Sequence, residues 1–390
     1  LVGTAQYIAS RESALRAYLA TGEVPNPDQL RGQIFGLSNS RKAFNGRLRG
    51  LNDAYVVARR AAAERAFRDA SPTAATLIDE QAEIQAEKRE LAPAYRLFPT
   101  LFGRYSSSLM QRAFALARGD ASALADIDEQ PEILERAFLI AQVAAVRDYY
   151  RQLGESLPAG IDGPTPEAAA DHLLATSVAA NASVEPSEAD GDEAVELVRA
   201  LLPAAQAWQS AASGLQAREA DVSRRLGRER FATYGNAVPP DATFSLRFTD
   251  GIVMGYPYNG TQAPPMTTLY GLYDHYYSYC ASGASDPCEW TLPARWLDAA
   301  DQLDMSTPVN FTSTSDTIGG NSGSPTINRD GELVGLNFDR TIEGLVRDYI
   351  YDPTRGRNVM VDTRLVVEAL SSVYGLDGLV REIRDGTLRP

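Results

Sequence analysis

The segment Thr317-Ile318-Gly319-Gly320-Asn321-Ser322-Gly323-Ser324-Pro325 carries the residue types that nucleophilic chemistry needs. A serine attacks a carbonyl from a tight, exposed turn. Backbone N–H groups must converge on the developing oxyanion, and neighbouring glycines let the substrate backbone close in. Ser322 is the candidate nucleophile. One known arrangement takes its oxyanion donors from the nucleophile and the residue two before it, here Ser322 and Gly320. A plain glycine-rich turn between two strands explains G-x-S-G on its own just as well. Residues 326–338 weigh against that bland explanation. They add a strand, an Asp330-Gly331 hairpin turn and a second alternating strand in the order the chemistry needs.

A serine also needs a base, and the chain holds two histidines, His172 and His275. His172, in Ala169-Ala170-Asp171-His172-Leu173, reads as a helix-surface residue. His275, in Leu272-Tyr273-Asp274-His275-Tyr276-Tyr277, reads as a structural or exposed ring more readily than as the base. The sequence therefore shows a nucleophile without a matching base. The acidic stretch 185–193 reads as a solvated loop, and no phosphate-binding glycine loop or nucleotide fingerprint is visible, so no cofactor is implied. Cys280 and Cys288 lie eight apart in a polar, aromatic stretch. They suit either a local disulfide in an exported protein or two ordinary thiols. A zinc site lacks visible further ligands near them.

The elements that must position these residues come in two textures. From residue 25 to about 230 the periodicity is helical: Phe44, Leu48, Leu51, Tyr55, Ala58 and Ala62 share one helix face, as do Leu134, Phe138, Ala141, Ala145 and Tyr149. Ala194, Val198, Leu201, Ala205, Trp208, Ala212 and Leu215 form the longest such stripe, with a kink expected at Pro203. After about Phe231 short β-type runs take over, at 244–248, 252–254, 333–338, 346–351 and 359–361, followed by a helix around 365–374. The expected organisation is α+β, with a helical domain over 1–230 and a small β-barrel with a terminal helix over 231–390. The 390 residues carry 37 Lys and Arg against 51 Asp and Glu, a formal charge of −14 with no basic cluster, which argues against a nucleic-acid partner. No apolar run reaches the roughly 18–20 residues of a membrane span. Residues 1–19 show neither an initiator Met nor the three-part pattern of a signal peptide, so the chain reads as beginning in mid-protein.

From about residue 234 to 382 the chain resembles the bacterial dipeptidyl-peptidase 7 and 11 family, family 46 of the serine peptidases. The resemblance is carried by Val238-Pro239-Pro240-Asp241-Ala242-Thr243-Phe244-Ser245-Leu246-Arg247, Thr268-Leu269-Tyr270-Gly271-Leu272-Tyr273-Asp274, Pro308-Val309-Asn310-Phe311-Thr312-Ser313-Thr314 and the serine segment. Ser38-Asn39 and Gly50-Leu51 extend it more weakly into the helical half. It implies a chymotrypsin-like peptidase of two barrels, with a helical domain between them, that releases dipeptides from free amino termini. This chain would be its helical domain and C-terminal barrel, with the catalytic His and Asp upstream in the first barrel. A periplasmic or secreted setting, a homodimer and peptide substrates with a free N-terminus are implied too.

Arg340, eighteen residues after Ser322, resembles the family's specificity site, where arginine accompanies a preference for Asp or Glu at the second position, as in the dipeptidyl-peptidase 11 type. A guanidinium at the foot of a pocket suits a carboxylate, while a surface arginine on a hairpin is the competing explanation. Asp339 matches the acidic residue that holds the substrate ammonium. Asn39 is the candidate contact from the helical domain, with helix capping as its alternative. Two functions remain open: a serine-type dipeptidyl-peptidase, or a catalytically incomplete peptide-binding or scaffold protein that keeps the barrel.

Overall fold

The computed structural model describes residues 2–103, 105–237, 246–281, 288 and 290–386. The chain divides into two units. One joins Leu1–Arg41 with Ala62–Pro239, and the other joins Lys42–Ala61 with Pro240–Pro390. Where the sequence suggests a boundary near 230, the structure thus also groups a stretch of the helical half with the C-terminal residues.

Helices α1 (Val2–Ala20), α2 (Pro27–Leu51), α3 (Ala54–Ala70), α4 (Pro72–Glu90), α5 (Ala92–Phe102), α6 (Ser108–Arg118), α7 (Ala121–Leu124), α8 (Glu132–Leu153), α9 (Pro166–Thr176) and α10 (Glu193–Tyr234) follow in order. Asp192 caps α10 by accepting from the N–H groups of Ala194 and Val195, both at 3.0 Å. The stripe read on this helix is its inner face: Ala194, Val198, Leu201 and Leu215 are buried, and Trp208 packs on Tyr95 and Phe98. The helix runs unbroken through Pro203.

On α8 one stripe is too simple a description. Leu139, Val143 and Val146 enter a core with α5, α6, α9 and α10, whereas Leu134 and Phe138 enter a second cluster with Ala14, Leu15, Leu19, Leu30 and Ile34. A helix between two clusters is apolar on two sides. The face read across Phe44 to Ala62 is likewise divided, because Asp53 ends one helix and starts the next. Its Oδ1 accepts from the N–H groups of Tyr55 at 3.0 Å and Val56 at 3.2 Å, leaving Val56 buried and Tyr55 exposed.

In the second unit β1 (Tyr256–Tyr258) and β2 (Thr261–Ala263) form a hairpin. They precede β3 (Met266–Thr268), α11 (Leu269–Tyr279), α12 (Ala294–Asp298), β4 (Pro308–Ser313), β5 (Pro325–Ile327), β6 (Leu333–Arg340), β7 (Asn358–Asp362), α13 (Thr363–Glu368) and α14 (Asp377–Asp385). An antiparallel sheet has the order β3-β4-β7-β6-β5, with Phe311 opposite Met360 and Leu336 opposite Val361. Among the described residues β3 and β5 do not pair, so the sheet is open where a closed barrel is expected.

Three expected strands account for the difference. Of the run 244–248, Phe244 and Ser245 lie outside the described residues, as does most of the 238–247 motif, and Leu246 to Phe248 is exposed and unladdered. Ile252-Val253-Met254 contributes an isolated bridge, Val253 to Ser313. The run 346–351 is not a strand: Ile342–Asp348 is a 3₁₀ segment, and Arg347 turns inward from it.

The last turns of α2 pack on that 3₁₀ segment through two glycines a turn apart. A Cβ on Gly50 would stand 2.8 Å from the Cβ of Val346, and one on Gly46 would collide with Leu345. Gly50→Ala should therefore cost about 1–3 kcal/mol by overpacking, read as a lower urea midpoint at constant slope. An unchanged midpoint would show that the seam has slack.

Candidate active site

The serine loop leaves the end of β4 and docks back on β6. Gly320 and Gly323 take φ of +102° and +88°, left-handed backbone that glycine adopts without strain. The Gly323 N–H donates to the Asn337 carbonyl at 2.7 Å, and the Asn337 N–H donates to the Ser324 carbonyl at 2.9 Å. Asn337 also donates from Nδ2 to the Asn321 carbonyl at 3.2 Å, while Asn321 Oδ1 accepts from the Ile318 N–H at 3.0 Å. Two asparagine side chains thus satisfy the loop from within.

Ser322 is exposed, and its hydroxyl has one long contact, to the Phe338 carbonyl at 3.4 Å. Among the described residues the N–H groups of Gly320 and Ser322 make no hydrogen bond. Such a turn offers a nucleophile-type hydroxyl and, among the described residues, uncommitted N–H groups at Gly319, Gly320 and Ser322.

The base of the loop is fixed by Arg347, which is 5% exposed. Its guanidinium donates to the carbonyls of Ser315 at 2.6 Å, Gly356 at 2.6 Å and Thr314 at 3.4 Å, and to Asn358 Oδ1 at 3.1 Å. Asn358 donates in turn to the Ser315 carbonyl and to its Oγ, the latter at 2.9 Å. Burial pulls the Arg347 pKa below its ordinary value, and an arginine so placed stays charged.

Ser322, Gly320, Asp339 and Arg340 all fall in the second unit, the last two at the end of β6. Asp339 is exposed, and its Oδ1 accepts from the Arg340 N–H at 2.8 Å. The Arg340 side chain is 13% exposed, so it is not a loose surface arginine, and Nη2 pairs with Asp348 Oδ1 at 2.7 Å. Its Nη1 is buried and has no hydrogen-bond partner. Asn39 lies in the first unit, exposed in the interior of α2, where a capping role does not apply.

Neither histidine bonds to Ser322. The His172 Nε2 meets Glu193 Oε2 at 2.6 Å, and the His275 ring packs 4.0 Å from Trp290 with a buried, unpartnered Nδ1. Cys280 and Cys288 form a disulfide, and no group of metal-ligating side chains occurs among the described residues. The sequence reading missed Arg347 and Asp348. Their signal was a pair of opposite charges inside an otherwise apolar run.

The Peptidase S46 profile matches residues 4–159 and 121–385. The chain belongs to this family. An Asp/Glu-specific dipeptidyl-peptidase of Flavobacterium psychrophilum is 37% identical over 153 residues, covering 37% of the S46 chain described here and 20% of that protein. The dipeptidyl-peptidase 7 of Phocaeicola vulgatus is 34% identical over 155 residues, again 37% of this chain and 20% of the relative. The matched part is thus about a fifth of these relatives' length. The crystal structure of Porphyromonas endodontalis DPP11 with the dipeptide Arg-Glu superposes at a TM-score of 0.70 and 19% identity, covering 98% of this chain and 60% of that one. At that identity the likeness establishes the fold of this S46 member.

Replacing Arg347 by Met should lower stability by roughly 1–3 kcal/mol: three carbonyls lose a charged donor, although Tyr351, Asn358 and Arg357 still donate to one each. Denaturant unfolding reads this directly, and a midpoint equal to wild type would refute the hub.

Proposed function

We propose that this S46 chain carries the nucleophile and specificity pocket of a serine-type dipeptidyl-peptidase. The enzyme releases dipeptides from free amino termini and prefers Asp or Glu at the second position. The observation that carries the reading is the pairing of an exposed Ser322, flanked by unbonded N–H groups, with a largely buried Arg340 that keeps one donor free. The names of the Asp/Glu-specific relatives support the same preference.

In the proposed reaction the Ser322 hydroxyl adds to the scissile carbonyl as its proton passes to a base. The Gly320 and Ser322 N–H groups take the oxyanion, and the departing amine then receives the proton; water, giving a proton to the same base, attacks the ester on Ser322 and frees the dipeptide and the serine hydroxyl. The base is assigned to polypeptide outside these 390 residues, since both histidines here are engaged elsewhere. Asp339, exposed beside Arg340, is assigned to the substrate ammonium. The open sheet is read as the core of the C-terminal chymotrypsin-like barrel. The Cys280–Cys288 disulfide supports a periplasmic or secreted setting, and a homodimer is proposed from the family resemblance alone.

The test is reporter release from an unblocked Leu-Asp substrate by the 390-residue chain and by the product of its complete reading frame. Ser322→Ala should reduce turnover by about a thousandfold or more. Turnover surviving that change overturns the nucleophile. Binding of the substrate without turnover in the full-length protein favours the peptide-binding alternative. Arg340→Gly should shift the acidic-to-apolar preference by about tenfold or more toward apolar residues, and an unchanged ranking removes Arg340 from the pocket.

A further inference from the structure

Arg340 does not stand alone. Asp348, at the end of the 3₁₀ segment, places Oδ1 2.7 Å from Arg340 Nη2 and accepts at Oδ2 from Arg47 Nε at 2.9 Å. Arg47 sits on α2 between Gly46 and Gly50, the two glycines that let this helix approach the 3₁₀ segment. All three charged side chains belong to the second unit and are well covered, 13% exposed for Arg340, 23% for Asp348 and 30% for Arg47. One carboxylate therefore bridges two guanidinium groups.

Two consequences follow from elementary electrostatics. A long arginine side chain has many rotamers, and a charge-assisted bond at one nitrogen selects among them. Here it is Nη2 that is taken, while Nη1 is buried without a hydrogen-bond partner. The bridge also sums to one positive charge, so the trio is neutralised by one further carboxylate.

We propose that Asp348 is a positioning residue for substrate selection, holding the Arg340 guanidinium in place for the carboxylate of the substrate's second side chain, with Arg47 steadying Asp348 from α2. The proposal rests on the reading of Arg340 as the pocket cation. It goes further in giving Asp348 a part in selection and in making α2 part of the specificity apparatus.

The experiment compares unblocked Leu-Asp and Leu-Leu reporters with the full-length enzyme. Asp348→Ala should raise KM for Leu-Asp about tenfold or more, with kcat changed less, because the loss is of pocket geometry and not of the nucleophile. Asp348→Asn keeps an acceptor for Arg340 and should recover part of that loss. Arg47→Gln, at a more exposed site, should move the acidic-to-apolar ratio in the same direction by about threefold. A merely structural Asp348 would weaken both substrates equally. In an Arg340→Gly background Asp348→Ala should have no further effect on the ratio, since the two act through one interaction.

The outcomes separate two failures. If Arg340→Gly leaves the ranking intact, the pocket reading itself falls. If Arg340→Gly shifts the ranking but Asp348→Ala and Arg47→Gln leave the ratio at wild type, only the bridge is overturned. An Asp348→Ala effect that persists in the Arg340→Gly background overturns it as well.

Discussion

The second unit depends on the buried guanidinium of Arg347. Carbonyls at strand ends point beyond the ladder that would satisfy them, and away from water each must find a donor. Those of Thr314 and Ser315 follow β4, and that of Gly356 precedes β7. One cation reaches all three, and each has a second donor: the Tyr351 hydroxyl at Thr314, Asn358 at Ser315 and Arg357 at Gly356. The exit of β4, the 3₁₀ segment and the entry of β7 are thereby tied at one point, and the serine loop starts from that point. Its position is inherited from a charge with no role in bond breaking.

The loop adds its own economy of hydrogen bonds. Asn321 and Asn337 use side-chain atoms where the backbone turns too sharply to pair with itself, and the left-handed glycines make that turn possible without strain. The N–H groups of Ile318, Asn321, Gly323 and Ser324 are all spent inside the loop or on β6. The donors at Gly320 and Ser322 are left over by this geometry.

What could be read from the amino-acid order was what repeats at short range. The α10 stripe, the turn around Ser322, the Asp330-Gly331 hairpin and the strands at 333–340 and 358–362 follow from periods of 3.6 and 2, or from glycine chemistry. Failures came where a residue's partner is distant. Arg347 and Asp348 sit in a run that reads as a strand, because nothing nearby shows that one is sealed among carbonyls and the other is shared by two arginines. Asp53 looks like one more polar residue on a helical face, yet its carboxylate accepts from the next helix's first turn and divides that face in two. Whether a sheet closes is a property of its edges, and no local pattern reports it.

The glycine seam between α2 and the 3₁₀ segment has a consequence for redesign. Where backbones meet with no room for a methyl group, neither partner can be exchanged independently: a bulkier residue on one side requires a matching retreat on the other. Transplanting β6 alone into a related scaffold would carry over the arginine but not the surroundings that aim it. The transferable module is discontinuous, made of residues 42–61 together with the strand and turn that follow the serine loop. Homologous recombination at a single crossover between them would separate halves that have to travel together.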